Sequence, residues 1–262
     1  MMKNPRVLAA AFVACAPLAL HAQTQSVEAP LSAQQVAVAC ALPPQLAVPS
    51  PTALHVIGSQ EPILRSDFTD RDTLVLDAGT AKGVQLGQRY FVRRPMRPSG
   101  WGVTGVLHTA GWIRVVAVDE TRAIAVADQI CSYIKTGDFL VPFVAPILPP
   151  DLAVVDRSID PDFKVMGRVL FGDNERENAA VGEYMLIDRG AEQGLAAGSR
   201  FAIYRDVRRW GAVDASGEAA LPLAAVGEGV VVTTGPTLSV LQILSANDAV
   251  HRGDYVVPRK KN

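Results

Sequence analysis

A block of spaced glycines occurs twice in this chain. Asp77-x-Gly79-x3-Gly83-x3-Gly87 returns with unchanged spacing as Asp188-x-Gly190-x3-Gly194-x3-Gly198, 111 residues later. A second gapless correspondence carries Gly111, Gly137-Asp138 and Pro142 onto Gly227, Gly253-Asp254 and Pro258, at an offset of 116 residues. One five-residue length difference between the two stretches reconciles the offsets. A chain that repeats itself at this distance folds as two copies of one small domain, so the length implies two compact units rather than one large one.

The repeat sets the boundaries. Residues 53–143 form the first copy and 164–258 the second. Between them, 144–163 includes Ala145-Pro146-Ile147-Leu148-Pro149-Pro150, which reads as a stiff Pro-rich linker. Residues 23–52 are a Pro/Ala/Gln-rich N-terminal tail in which Pro43-Pro44 and Pro49-Ser50-Pro51 oppose regular structure, with order expected at most around Cys40. Residues 259–262 are a basic tail.

Residues 1–22 read as a secretory signal peptide: Lys3 and Arg6, an apolar Val7 to Leu20, then Leu20-His21-Ala22 before polar Gln23. That run is too short to cross a bilayer and contains Pro17, and no other stretch is long enough, so the mature chain is expected to lack a transmembrane segment. Phe12-Val13-Ala14-Cys15 is a poor lipobox, which argues against a lipid anchor on Cys15. The expected location is the periplasm or the extracellular medium. Removing residues 1–22 takes two cations and no anion from 25 basic and 26 acidic residues, leaving a net charge of −3. That balance argues against nucleic acid as a partner. The mature chain keeps Cys40 and Cys131, an even number for an oxidising compartment. A disulfide between them is the expectation, with two separate thiols as the alternative.

Each copy reads as short strands. Thr73 to Asp77 and Tyr184 to Asp188 are strand-length apolar runs, and the glycine ladders after them are too Gly-dense for a stable helix. Arg89 to Arg93 and Arg200 to Tyr204 alternate as half-buried strands do. Hairpins follow: Ile113–Val118 with Ala123–Ala127, and Val230–Thr233 with Leu238–Leu241. Phe139–Val141 and Tyr255–Val257 close each copy, both entered through Gly-Asp. A short helical turn is expected around Asp128 to Tyr133. The fold class is therefore all-β: two tandem small β-barrels of about five to six strands each, joined by the Pro-rich linker.

This succession of Asp-x-Gly, Gly-x3-Gly ladder, aromatic strand ending in Arg, hairpin and Gly-Asp strand resembles small β-barrel domains of bacterial envelope proteins. It is similar to the C-terminal domain of flagellar assembly protein T and to barrels that accompany LysM modules, and more distantly to the paired barrels of the cell-shape protein MreC. The likeness covers both repeats and rests mostly on glycines. The chain has no LysM motif and no coiled coil. What the resemblance implies is an envelope protein whose partners are other envelope proteins.

Residue chemistry points the same way. The ladders lack the Gly-Lys-Ser/Thr ending of a phosphate loop, so Gly79, Gly83, Gly87, Gly190, Gly194 and Gly198 are expected in tight turns, with Asp77 and Asp188 bonding to N–H groups of those turns. Arg252-Gly253-Asp254 spells an adhesion tripeptide, but the first copy reads Thr136-Gly137-Asp138, so the Gly-Asp pair belongs to the fold and the arginine is incidental. His55, His108 and His251 are scattered without metal-ligand spacing, and no Gly-x-Ser-x-Gly elbow occurs. No catalytic residue, metal or cofactor is expected. The candidate binding residues are Arg93, Arg94, Arg97 and Trp101 in one copy and Arg205, Arg208, Arg209 and Trp210 in the other. Guanidinium forks beside an indole suit anionic sugars or an acidic protein patch. The expected function is thus a non-enzymatic envelope scaffold or adaptor, with a peptidoglycan- or anionic-glycan-binding module as the alternative.

Overall fold

The computed structural model describes residues 30–45, 53–61, 65–96, 105–150, 152, 154–155, 159–206 and 223–259. Residues 1–22, expected to be a signal peptide, with Cys15 among them, and Arg97, Trp101, Arg208, Arg209, Trp210 and most of the basic tail lie outside them.

The first half contains β1 (Leu54–Ser59), β2 (Asp67–Phe68), β3 (Thr73–Leu76), β4 (Arg89–Pro95), β5 (Leu107–Val118), β6 (Ala123–Ile130), β7 (Ile134–Lys135) and β8 (Phe139–Pro142). Six of these strands close a barrel in the order β1-β3-β6-β5-β4-β8, with β8 pairing back onto β1 through Leu140 and Leu54. Closure leaves the small sheet no free edge. Alternate residues point inward, and Val56, Leu74, Leu76, Val92, Ile113, Val115 and Ala125 fill the interior with Phe68 and Ile134 of the short β2–β7 pair.

The second half contains β9 (Gly167–Arg168), β10 (Asn178–Ala179), β11 (Tyr184–Ile187), β12 (Arg200–Asp206), β13 (Leu223–Thr234), β14 (Ser239–Ala246), β15 (Val250–His251) and β16 (Tyr255–Pro258). Six of them form a curled sheet in the order β11-β14-β13-β12-β16-β9, which is the cyclic order of the first barrel. Backbone bonds from Leu170 N–H to Leu186 O and from Leu186 N–H to Phe171 O span the remaining gap. Its core gathers Met185, Ile187, Phe201, Ile203, Val231, Leu241 and Val256.

Several expectations are corrected. β5 and β13 begin at Leu107 and Leu223, well before the apolar runs at Ile113 and Val230. Register shifts near Gly111 and Gly227 bend each long strand without ending it. No helical turn forms at Asp128–Tyr133, because β6 continues to Ile130. The N-terminal tail carries a helix, α1 (Ala33–Cys40). Ser32 and Gln35 make a reciprocal capping box at its start, and the prolines at 43 and 44 only follow its end. Within residues 144–163, Leu148 and Leu152 pack on the second sheet, and Pro161 bridges to Arg259.

Candidate functional site

Two faces of α1 point at two different sheets. Val36, Ala39 and Cys40 join Phe91, Trp112, Val141 and Phe143 on the outside of the first barrel. Val38 and Ala41 join Val230, Val232 and Val240 on the outside of the second sheet. Leu42 completes a third cluster in which Val106 and Met96 of the first half meet Leu170, Phe171 and Leu238 of the second. Burying Val38 and Leu42 alone stabilises this junction by roughly 1.5–3 kcal/mol each. Phe91, Trp112 and Phe143 form an aromatic triangle, with centroids 4.6 Å apart for Phe91–Phe143 and 5.3 Å for Trp112–Phe143.

The expected disulfide is present. Cys40, the last residue of α1, is bonded to Cys131 just beyond β6, with Cα atoms 5.3 Å apart. The adjacent Ser132 enters a polar relay that crosses the junction. His108 Nε2 lies 2.7 Å from Ser132 Oγ, and its Nδ1 lies 2.8 Å from Asp173 Oδ1 in the second half. An ionised carboxylate only accepts, so Nδ1 carries the hydrogen and a neutral ring accepts the serine proton at Nε2. This is the connectivity of a Ser-His-Asp triad. The main-chain N–H of Ser132 donates to Ala110 O, so it is not offered to a developing oxyanion. Sequence reading missed the relay because its members are 24 and 65 residues from His108. Among the described residues no group of three or more His, Cys, Asp or Glu could hold a metal ion.

The candidate arginines fall into two kinds. Arg94 grips Asp138 with Nε and Nη2, both at 2.7 Å, and Arg205 grips Asp254 the same way at 2.8 Å. Asp138 and Asp254 are buried, and each also accepts a backbone N–H, from Lys135 and His251. The hydrogen bond to Asp254 raises the Arg205 pKa, and Arg205 in turn lowers that of Asp248, 2.7 Å away. These arginines brace the Gly-Asp turns. Arg93 is buried, its guanidinium over the Phe91 ring and hydrogen-bonded to Thr109 Oγ1, which donates to Ala41 O at the end of α1. Burial lowers its pKa to about 10.

The glycine ladders make turns, and one part of the expectation changes. Gly83, Gly87, Gly194 and Gly198 have positive φ, as do Gly137 and Gly253. Gly79 and Gly190 serve close approach instead: an added Cβ at Gly190 would lie 2.5 Å from Pro236 O, and one at Gly79 would collide with Asp119 O. Asp77 and Asp188 do not bond to their own turns. Asp77 Oδ1 accepts from His55 N–H at 2.7 Å and Asp188 Oδ1 from Arg168 N–H at 2.6 Å, tying each ladder to the first strand of its half. Those first strands are short and Gly-containing, so the sequence carried little sign of them.

Among the described residues no helix is long and apolar enough to cross a membrane. The disulfide fits an oxidising compartment. Compared with known proteins, the chain matches no protein-family model and no curated protein.

Proposed function

We propose that this protein is an exported, non-catalytic scaffold or adaptor of the cell envelope, built from two copies of one small barrel. The observation that carries the reading is the junction. One short helix is packed between two sheets, bonded covalently to one side, and the halves also meet through His108 and Asp173. Such a body holds two surfaces at fixed separation, which is what a spacer or assembly part requires. The equal strand order and the matched Arg94–Asp138 and Arg205–Asp254 pairs support duplication. The apolar leader at 1–22 and the disulfide support export to the periplasm. The similarity to flagellar and LysM-associated barrels fits envelope partners.

The glycan-binding reading has less behind it, since Arg93, Arg94 and Arg205 are engaged inside the fold and the remaining five residues lie outside the described ones. Crosslinking in intact cells, with fractionation and mass spectrometry, tests the proposal. A reproducible set of envelope proteins crosslinked to a disulfide-bonded, leaderless chain is the expected result. Recovery in the cytoplasm with both cysteines reduced would overturn it.

A further inference from the structure

A cavity of about 400 Å³ opens at one end of the second sheet, between the glycine ladder and residues 159–165. Leu195, Val165 and Phe201 give it apolar walls, and Arg189, Arg200 and Arg259 also line it, against the single carboxylate of Asp162. All three of these cations are held by the fold, Arg200 through Nη1 to Val154 O. Arg259 is paired with Glu228 and donates to Ile159 O, while Arg189 lies 3.9 Å from Asp188 and donates to Met166 O. Arg189 Nε is buried and makes no hydrogen bond. The Arg189 side chain is nonetheless about one-third exposed, so its terminal nitrogens, which have N–H groups to spare, face the hollow.

The first barrel carries an aromatic residue at the position equivalent to Arg259. Phe143 N–H donates to Arg89 O, as Arg259 N–H does to Arg200 O, so the two positions are equivalent in the fold. There the Arg89 guanidinium lies 4.0 Å from the Phe143 ring centroid, and Phe143 also packs on Trp112. In the second half the residues equivalent to Phe143 and Trp112 are Arg259 and Glu228, and Arg189 stands where the first half has Ala78. An aromatic contact beneath α1 is replaced in the second half by cations around an apolar hollow.

We propose that this cavity binds a small organic anion with an apolar body, its carboxylate accepting from Arg189 and its hydrocarbon lying against Leu195, Val165 and Phe201. A concave, largely apolar site with a few fixed polar donors is the usual form of a small-ligand pocket. The inference is independent of the envelope reading.

Titration calorimetry of the disulfide-bonded protein with octanoate, octanol and acetate tests it. Octanoate binds with one-to-one stoichiometry, octanol at least about ten-fold more weakly, and acetate gives no measurable heat. Arg189→Gln brings octanoate down to the affinity of octanol while octanol still binds as before, which shows the pocket intact, whereas Leu195→Asn weakens both ligands. Amide shifts on octanoate addition to the unaltered protein centre on Gly194, Gly198 and Ser199, a readout that needs no variant. Absence of saturable octanoate binding, equal affinity for octanol, or shifts centred elsewhere would each overturn the proposal.

Discussion

Asp173, in the turn after β9, lies 2.8 Å from the Nδ1 of His108 on β5, so a carboxylate of one half satisfies a buried imidazole of the other. His108→Ala removes a buried ring and leaves both Asp173 and Ser132 without it, a loss of about 2–3 kcal/mol. Asp173→Ala should cost less, because that carboxylate is partly exposed. In a double-mutant cycle read by urea unfolding, the coupling between the two positions falls between about 0.5 and 3 kcal/mol. A coupling indistinguishable from zero would mean that the relay does not link the halves.

The same relay makes a sharp chemical prediction. Ser132 has a histidine partner, but its N–H is spent on Ala110 O. Fluorophosphonate probes should therefore leave Ser132 unmodified under conditions that label a serine hydrolase completely. Labelling abolished by Ser132→Ala would convert the relay into a catalytic centre and refute the non-enzymatic reading.

Arg94 and Arg205 should behave as twins. Each is a two-point partner of a buried aspartate, so truncation to Ala strands Asp138 or Asp254 and costs about 3–5 kcal/mol. Arg93→Met should be neutral or stabilising at pH 7. Its lowered pKa means that the folded state penalises the cation. That penalty is complete below about 10 and fades as pH rises toward the unfolded value, so it is present in full at neutrality. Chemical denaturation of the three variants separates the two kinds of arginine; a strongly destabilised Arg93→Met would invert the assignment.

How much was legible in the sequence depends on whether a residue's partner was local. The strand runs at Thr73 and Tyr184, the ladders and the closing Gly-Asp strands announce themselves through spacing alone. The Arg94–Asp138 contact was not visible, because both residues have good local explanations and meet only after the barrel closes across 44 positions. α1 was hidden by its neighbours: the prolines at 43 and 44 drew attention from Ser32-Ala33-Gln34-Gln35, a complete capping-box signature. Its two apolar faces could not be assigned without knowing that two sheets flank it. The hairpin strands read as starting at Ile113 and Val230, whereas Gly111 and Gly227 lie inside longer strands as bends, since a glycine inside a strand and one before it leave the same mark in a sequence.

Acid should loosen the second half through a named group. Asp248 is held below the usual carboxylate range by Arg205 and by the Ala249 N–H. A depressed carboxylate stabilises the fold above its unfolded pKa of about 3.9 and loses that contribution as pH falls through the folded value. Asp248→Asn should lower Tm slightly at pH 7, match the unaltered protein in strong acid, and so show a flatter fall below about pH 4, the effect being small because the pair is exposed. Identical acid limbs in the two proteins would remove Asp248 from the account.

Reduction is the most direct probe of the junction. The Cys40–Cys131 bond spans a sequence separation of 91 residues, for which the loop-closure model gives about 4–5 kcal/mol. Opening it also frees the end of α1, whose Val36, Ala39 and Cys40 cover the Phe91–Trp112–Phe143 triangle. Hydrogen exchange after treatment with dithiothreitol should therefore rise first in Ala33–Cys40 and then in residues bordering the junction, such as Val106 and Leu170, while β3 and β11 stay protected. The double variant Cys40→Ser with Cys131→Ser should reproduce that pattern without reductant. Uniform exchange throughout both sheets would show instead that the bond holds up the barrels themselves rather than the helix between them.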